Sequence, residues 1–382
     1  MMQSKLPTTE TTIFSVMTAL ANEVGAVNVS QGFPDYPVDP ALCELLYEAS
    51  VHGHNQYAPM PGLPALRNQV AHKYHAVHKC HVDANTEITI TPGATAALYT
   101  AIACVVGPGD EVIIMDPSYD SYAPAVRANG GVVCASPLLP GTYLPDWNHV
   151  RSLITPKTRC IIVNSPHNPC GSALTYDDVC ELATIANEHN LVVISDEVYE
   201  LITFDDNHHY TVLSHPSLRN RSFVITSFGK TFHITGWKVG VCVAAPDLMA
   251  SFRSVHQYLS FCVNTPAQFA LARYMDDPSH YMGLSEFFLS KRNYVRDSLA
   301  SSQWTLRPCS GSYFQLLGYE NISDERDVDF AKRITREHGV ATIPLSPFYQ
   351  NPEYYTERVV RVCFAKTQET LSAAIERLLL VR

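Results

Sequence analysis

The chain carries little positive charge for its length, and its basic residues form no run. Its 382 residues include 27 lysines and arginines against 37 aspartates and glutamates, which gives a formal net charge of −10. Nucleic acids and anionic membrane surfaces bind proteins through clustered positive charge. We therefore expect neither a nucleic-acid partner nor a membrane partner.

Long apolar runs, a leader-like start and paired cysteines are also missing. No stretch approaches the roughly 18 uninterrupted apolar residues of a membrane span. The opening residues, MMQSKLPTTETTIFSVMTALANE, lack the basic segment and apolar run of a signal peptide, and they predict coil followed by an amphipathic helix. The 11 cysteines include no C-x-x-C pair, so we interpret them as free thiols. Together these absences predict a cytoplasmic protein.

Short apolar runs do occur, and they alternate with helical periodicity between residues 88 and 244. Strands that are apolar throughout are buried on both faces, which is typical of a parallel or mixed sheet covered by helices. The predicted strands are 88–92, 111–116, 131–136, 159–166, 191–197, 222–230 and 238–244. The predicted helices between them are 94–106, 121–130 and 175–190, the last capped by Thr175. The pattern predicts the α/β class.

After about residue 245 the pattern changes to long helices followed by short strands. Helices are predicted at 247–260, 265–300, 327–337 and 368–380, and strands at 311–318 and 358–364. This indicates a second, smaller α+β unit. We expect an N-terminal segment of residues 1–40 that packs with the small domain, a large domain of residues 41–275 and a small domain of residues 276–382.

Gly229-Lys230-Thr231 matches the end of a phosphate-binding P-loop. The template G-x-x-x-x-G-K-[ST] would place its first glycine at position 224, which is a valine. A nucleotide-binding P-loop is therefore disfavoured, and Lys230 requires another explanation.

Polar residues follow several of the predicted strands at the point where each strand ends. They are Asn164, Asn168, Asp196, Tyr199, Ser227 and Lys230. Ligand sites of α/β sheets lie at the carboxyl ends of the strands, and a lysine there becomes a nucleophile when burial or a nearby cation lowers its pKa. The turn Gly93-Ala94-Thr95 opens a helix, whose free N–H groups suit a phosphate. A lysine for an aldehyde, an aspartate for a ring nitrogen and a phosphate site together predict pyridoxal 5′-phosphate.

Eight motifs in a fixed order cover nearly the whole chain. They are VNVSQGFPDYP, NQYAPMPGLPALR, TPGATAALY, DPSYDSY, NSPHNPCG, SDEVYE, SFGKTFHITGWKVG and RVCFAK. With them the sequence resembles the class I, fold-type-I pyridoxal-phosphate-dependent aminotransferases, in particular the kynurenine, glutamine and methionine aminotransferase branch. The resemblance implies a large domain with a mostly parallel seven-stranded sheet covered by helices, plus a smaller α+β domain.

The same resemblance implies an activity and an assembly. The reaction would be transamination of a neutral apolar or aromatic L-amino acid, of the methionine, aromatic, glutamine or kynurenine type, with a 2-oxo acid. The active unit would be a homodimer whose subunits share the active site.

The resemblance also assigns roles to individual residues. Lys230 would hold the cofactor aldehyde covalently and carry the substrate proton, while Asp196 would pair with the pyridine nitrogen. The other cofactor-binding residues would be Asn164, Asn168, Tyr199, Tyr119, Ala94, Thr95, Ser227, Lys238 and, across the dimer interface, Tyr57. The substrate-binding residues would be Arg361 and Gly32 at the α-carboxylate, with Phe14 and Tyr36 as pocket walls.

Ordinary structural roles compete with several of these assignments. An aspartate at a strand end is often only a helix cap, which is the alternative for Asp196. Arg361 could belong to a buried ion pair, and Tyr119 could be a packed aromatic residue. Gly32 could serve only a turn.

Histidines recur every three residues at positions 72, 75, 78 and 81. A strict three-residue step drifts around an α-helix, so the four rings would not converge on a metal ion. We expect no metal site, and we interpret these residues, together with His208 and His209, as solvated surface.

Other functions remain open at the level of the sequence. A cysteine-S-conjugate or cystathionine β-lyase would use the same lysine but expel a group from the substrate β-carbon. A non-catalytic binding module of the same fold would usually carry a DNA-binding appendage, which the sequence lacks, and could lose the lysine, which is present.

Overall fold

The computed structural model describes residue 6 and residues 11–205, 207–352 and 355–382. Its strands are β1 (Val27–Asn28), β2 (Ile88–Thr91), β3 (Glu111–Asp116), β4 (Val132–Pro137), β5 (Thr158–Asn164), β6 (Val192–Asp196), β7 (Ser222–Ser227), β8 (Gly240–Ala244), β9 (Thr305–Leu306), β10 (Phe314–Gly318), β11 (Val340–Ala341), β12 (Ile343–Pro344) and β13 (Val359–Cys363).

The α-helices are α1 (Ile13–Val24), α2 (Pro40–Val51), α3 (Pro64–His78), α4 (Ala94–Val105), α5 (Tyr122–Ala128), α6 (Trp147–Ser152), α7 (Tyr176–Glu188), α8 (Pro216–Arg219), α9 (Phe228–Thr231), α10 (Pro246–Leu259), α11 (Thr265–Tyr274), α12 (Ser279–Met282), α13 (Leu284–Leu299), α14 (Asp327–Glu337) and α15 (Gln368–Leu378). None of the helices in the described ranges combines the length and the hydropathy that a bilayer-spanning segment needs.

The predicted apolar strands form a seven-stranded sheet in the order β2-β8-β7-β6-β5-β3-β4. Strands β3 to β7 run parallel, and β8 is antiparallel to both of its neighbours. The predicted α/β class, with a mostly parallel seven-stranded sheet, is therefore confirmed.

Both faces of this sheet are covered because consecutive residues of each strand point to opposite sides. In β3, Val112 and Ile114 belong to the core beneath α4, α5 and α10. Ile113 between them belongs to the core beneath α3, α7 and α11. A strand that serves two cores must be apolar throughout, which explains its continuous run.

A four-stranded antiparallel sheet, in the order β12-β13-β10-β9, stands beside the large one. In the N-terminal part of the chain, β1 pairs in parallel with β11, with Val27 opposite Val340. The predicted domain boundaries at residues 40/41 and 275/276 stay predictions.

The helix predicted over residues 265–300 is wrong as one continuous element. It consists of α11, α12 and α13, with breaks after Tyr274 and at Gly283. Pro278 has no N–H to donate and disfavours helical backbone in the residue before it, which accounts for the first break. The Thr175 cap, by contrast, closes a capping box with Asp178 as its partner.

The turn that precedes α3 depends on the absence of a side chain at Gly62. This residue has φ +100°, and a Cβ there would lie 2.3 Å from Cγ1 of Ile90 in β2. Gly53 has a similar φ of +88°, but apart from its chain neighbours no described residue has an atom within 4 Å of its Cβ position. A side chain at either position would strain the backbone, but only at position 62 would it also overlap a neighbouring side chain.

We expect Gly62→Ala to lower the free energy of unfolding by about 3 kcal/mol or more, because strain and overpacking add. Gly53→Ala, the matched control, should lower it by only about 1 kcal/mol. Urea titration of both variants measures the difference. Equal losses in the two variants would show that the contact with Ile90 is unimportant.

Candidate active site

Parallel strands bring the predicted polar residues to one edge of the large sheet. Asn164 at the end of β5 lies directly opposite Asp196 at the end of β6, and Ser227 ends β7. The carboxyl ends of these strands open onto one cavity, which is where α/β sheets bind ligands. The predicted cofactor-binding residues that line it are Ala94, Thr95, Tyr119, Asn164, Asn168, Asp196, Tyr199, Ser227, Lys230 and Lys238.

Lys230 lies on the short helix α9, immediately after β7, and its amine points into this cavity. Its Nζ donates to the Tyr313 hydroxyl at 2.9 Å and to the Gly32 carbonyl at 3.2 Å. Burial lowers the pKa of the Lys230 amine to about 8. A substantial neutral fraction near that pH gives the amine nucleophilic and basic character.

Asp196 provides the opposite charge in the same cavity and is 3% exposed. Tyr122 donates its hydroxyl to Oδ2 at 2.6 Å, and the Val198 N–H donates to Oδ1 at 3.3 Å. Burial raises the pKa of the Asp196 carboxyl to about 6, against the lowering effect of the Tyr122 hydrogen bond. At neutral pH the carboxylate is therefore mostly ionised and can hold a protonated ring nitrogen.

The other end of the cavity has the properties of an anion site. Helix α4 begins after Gly93, which has φ +83° and offers no side-chain cap to the first N–H groups. Lys238 lies beside this helix start, since a Cβ at Gly93 would be 3.2 Å from its Nζ. Within the described ranges no carboxylate pairs with Lys238. Free helix N–H groups, the helix dipole and an unpaired ammonium together attract a phosphate.

Arg361 in β13 is a fully buried cation whose guanidinium has no carboxylate partner among the described residues. One Nη donates to Asn168 Oδ1 at 2.7 Å and the other to the Ser30 carbonyl at 2.9 Å. Its Nε is buried without a hydrogen-bond partner in the same part of the chain. Among the described residues Arg361 therefore forms no ion pair of the kind that the competing prediction requires. A buried cation without an anion is costly, which favours an anionic ligand here.

A second cavity adjoins the first beside Arg361. It is lined by Phe14, Gly32, Phe33, Tyr119, Asp120 and Phe314, together with Asn168, Tyr199, Lys230 and Arg361. The shared residues show that the two cavities meet at Lys230. A ligand that contacts Arg361 would therefore have its neighbouring atoms next to the Lys230 amine.

Asn164 and Asn168 form the supporting layer between these groups. The Asn164 amide donates to the Asp196 carbonyl at 2.8 Å, and its Oδ1 accepts from the Asn168 N–H at 2.7 Å. Asn168 in turn accepts from Arg361. The two asparagines thus link the aspartate end of the site to the arginine end.

Tyr36 and Tyr57 lie outside both cavities. The Tyr36 ring packs edge-on against His233 and Phe287. Tyr57 is 84% exposed and touches Phe261 with its ring edge. Their predicted roles remain predictions.

Two tyrosines of the site, Tyr122 and Tyr313, were not predicted from the sequence. Tyr122 holds Asp196, and Tyr313 holds both Lys230 and the Gly32 carbonyl, the latter at 2.7 Å. Tyr122 follows Tyr119 by three residues, a spacing that places both on one side of a helical turn and could have suggested it. Nothing in the local sequence distinguishes Tyr313 from the other 19 of the chain's 20 tyrosines.

The interpretation of the histidines as solvated surface is wrong for His78 and His209. His78 and His209 have side chains only 3% exposed, and their Nε2 atoms lie 2.6 Å from Glu200 and 2.9 Å from Glu197. They belong to the buried interior, because two buried carboxylates require partners there. In the described part of the chain no group of three or more potential ligands has the arrangement of a metal site.

Comparison with known proteins places this geometry in a family. Residues 24–378 match the profile described as aminotransferase class I and II. The chain is 48% identical to the methionine aminotransferase of Escherichia coli (strain K12), covering 98% of this chain and 97% of that protein. It is 34% identical to kynurenine–oxoglutarate transaminase 3 of Rattus norvegicus, covering 94% and 86%. A crystal structure from Escherichia coli, described as having a methionine aminotransferase function, superposes with a TM-score of 0.97 at 47% identity and covers 99% of each chain.

We expect Asp196→Asn to stabilise the ligand-free protein at pH 7. Because the folded pKa of Asp196 lies above the ordinary value of 3.8, folding favours the protonated carboxyl. Its contribution to stability is complete below pH 4 and is lost as the pH rises through 6, a loss of about 3 kcal/mol. An asparagine avoids that loss, so unfolding by urea at pH 4 and pH 7 should show the gain only at pH 7.

The exposed residue Asp297 offers the control, and Asp297→Asn should follow the wild-type profile at both pH values. If Asp196→Asn were no more stable than wild type at pH 7, burial of the ionised Asp196 would not destabilise the folded protein, contrary to this prediction.

Proposed function

This chain belongs to the class I and II aminotransferase family, and from that premise we propose that it is a pyridoxal 5′-phosphate enzyme acting on neutral apolar or aromatic L-amino acids. One observation carries the proposal: the Lys230 amine and the Asp196 carboxylate line a single cavity that ends at the free start of helix α4. The reaction is the transfer of the α-amino group to a 2-oxo acid.

The residues present fit this cofactor. The α4 N-terminus and Lys238 would hold the phosphate, Asp196 the protonated ring nitrogen, and Asn168 with Tyr199 the phenolic oxygen. Lys230 would bond to the aldehyde carbon, and Tyr119 would stack on the ring. Ser227 and Thr95 line the same cavity and would add their hydroxyl groups to the phosphate site. When bound, pyridoxal phosphate supplies an electron sink for the electron pair left on the substrate α-carbon.

The chain itself supplies the acid–base chemistry at one atom. The Lys230 Nζ, with its pKa lowered to about 8, exists partly as the neutral amine and accepts a proton from the substrate α-carbon. The Tyr313 hydroxyl and the Gly32 carbonyl hold this nitrogen in place. Asp196 keeps its negative charge near neutral pH, which stabilises positive charge on the partner it faces.

Substrate selection lies in the second cavity. Arg361 would bind the α-carboxylate, since two of its nitrogens are fixed by Asn168 and Ser30 and its Nε lacks a partner in the described chain. Phe14 and Phe33 supply apolar surface beside it. The named relatives are a methionine aminotransferase and a kynurenine transaminase, which agrees with donors of neutral apolar or aromatic character.

A homodimer is part of the proposal. Tyr57, Tyr258 and Phe261 are exposed aromatic residues, with Tyr57 and Tyr258 more than 80% exposed. Exposed apolar surface of this kind favours association. We propose that Tyr57 reaches the phosphate of the partner subunit, which completes each site.

A cytoplasmic location belongs to the proposal as well. All 11 cysteines are free, and five of them are buried. Free thiols persist where the surroundings are reducing.

We expect methionine, phenylalanine, tyrosine, glutamine or kynurenine to convert the bound cofactor to its pyridoxamine form in wild-type protein, and Lys230→Ala to abolish turnover. The variant loses both the covalent anchor and the proton carrier, so the rate should fall by about 10³-fold or more. A screen of amino donors, read by the absorbance of the cofactor and by 2-oxo acid product, measures this. Borohydride should fix the cofactor to wild-type protein only.

Lys157→Ala, which removes an exposed lysine, is the control and should behave as wild type. A wild-type protein that cannot take up the cofactor would refute the proposal. Release of pyruvate and ammonia from cystathionine, without amino transfer, would favour the β-lyase instead.

We also expect Arg361→Lys to raise the KM for amino donors by roughly 10- to 100-fold. Lysine keeps the charge but cannot form the two-pronged contact of a guanidinium with a carboxylate. Steady-state kinetics with the best donor of the screen measures the change. Arg336→Lys alters an exposed arginine and should leave KM unchanged, whereas an unaltered KM in Arg361→Lys would remove the arginine from carboxylate binding.

A further inference from the structure

A buried ionic cluster lies behind the candidate active site. It consists of Lys73 and His78 on α3, Glu197 and Glu200 after β6, and His209 in the following loop. Each of these side chains is at most 4% exposed. Burying five ionisable groups is unfavourable unless they pair with one another, so the cluster needs an explanation.

Pairing inside the cluster is specific. Glu200 binds Lys73 through one carboxylate oxygen and His78 Nε2 through the other, at 2.6 Å. Glu197 binds His209 Nε2 at 2.9 Å through one oxygen. Its other oxygen accepts from the Ser195 hydroxyl at 2.8 Å and from the Val212 N–H at 3.1 Å. Both carboxylates therefore have every oxygen engaged.

The two carboxylates alternate along the chain with the residues of the active site. Asp196 and Tyr199 line the active-site cavity, while Glu200 lines a separate cavity with His78 and His209. The Glu200 N–H donates to the Glu197 carbonyl at 2.9 Å, which closes this stretch into a turn. Fixing the glutamates on one side of the turn therefore fixes the aspartate and the tyrosine on the other.

Each histidine holds its carboxylate through a single ring nitrogen. His209 Nδ1 is buried without a partner in the described chain, so its hold on Glu197 depends on Nε2. His78 holds Glu200 through Nε2 as well. The rings of Tyr74 and His209 pack against the His78 ring and fix its orientation.

We infer that Glu197 and Glu200, each held by a histidine, are positioning residues that set where Asp196 and Tyr199 meet the cofactor. This inference rests on the proposed function. A displacement of the reacting groups by about 1 Å lowers enzymatic rates by roughly 100-fold. The cluster links that geometry to α3, which is 122 residues away in sequence from the glutamate bound by His78.

The test compares buried and exposed histidines of the same elements. His78→Leu and His209→Leu each remove a carboxylate partner. His75→Leu on the same helix and His208→Leu in the same loop change exposed rings and serve as controls. His78→Gln and His209→Gln restore an N–H donor and test for rescue.

In the buried leucine variants we expect the dissociation constant of pyridoxal 5′-phosphate to rise at least about tenfold and kcat to fall roughly 10- to 100-fold. The KM for the amino donor, which depends on Arg361, should change by no more than about threefold. The glutamine variants should recover most of both losses, and the controls should match wild type. Thermal unfolding of the cofactor-free proteins separates a folding defect from a misplaced site.

If the leucine variants do not fold, Glu200→Asp answers the same question, since it keeps the charge but shortens the side chain by one carbon. Leucine variants that unfold at lower temperature but keep the wild-type cofactor affinity and kcat would overturn the inference, as would equal losses in the controls. Wild-type protein that binds the cofactor but transfers no amino group would count against the proposed function alone, because cofactor affinity still decides the positioning role. Wild-type protein that binds no cofactor would overturn both.

Discussion

Removal of water from Lys230 and Asp196 is the constraint on which the rest of the site depends. Burial moves the pKa of the amine down to about 8 and that of the carboxyl up to about 6. At pH 7 roughly a tenth of the amine is then neutral while most of the carboxyl is ionised. Groups in this condition need nearby hydrogen-bond partners, and Tyr122, Tyr313 and the Gly32 carbonyl supply them. The strand ends provide the charges, and the surrounding polar groups make their burial tolerable.

Two sheets and an N-terminal segment contribute to one reaction centre. The large sheet supplies the groups that fit the cofactor, whereas β13 and the residue before β10 supply Arg361 and Tyr313. These parts meet at Asn168 and at the carbonyls of Ser30 and Gly32. A continuous path of hydrogen bonds therefore runs from Arg361 through Asn168 and Asn164 to the Asp196 carbonyl.

Much of the fold was predictable because its strands must be apolar on both faces, which leaves a continuous signal in sequence; β3 was predicted to the residue. Strand ends marked Asp196, Ser227 and Lys230 for the same reason. The local sequence could not predict which distant residues would contact each other in the folded chain. His78 meets a glutamate 122 residues away, and Tyr313 meets a lysine 83 residues away. The prediction of one helix over 265–300 was wrong for a different reason. Pro278 and Gly283 are visible in the sequence, and their tendency to break helices outweighed the helix propensity of the residues around them.

The alternation of Asp196, Glu197, Tyr199 and Glu200 bears on how this protein can evolve. Because neighbouring strand residues face opposite sides, inserting or deleting one residue in β6 would exchange Asp196 for Ser195 or Glu197 at the cavity and send the displaced carboxylate into the opposite layer. A change of one residue in length would thus disturb both the active-site cavity and the buried ionic cluster. A change in the length of β6 would therefore be more damaging than a conservative substitution within it.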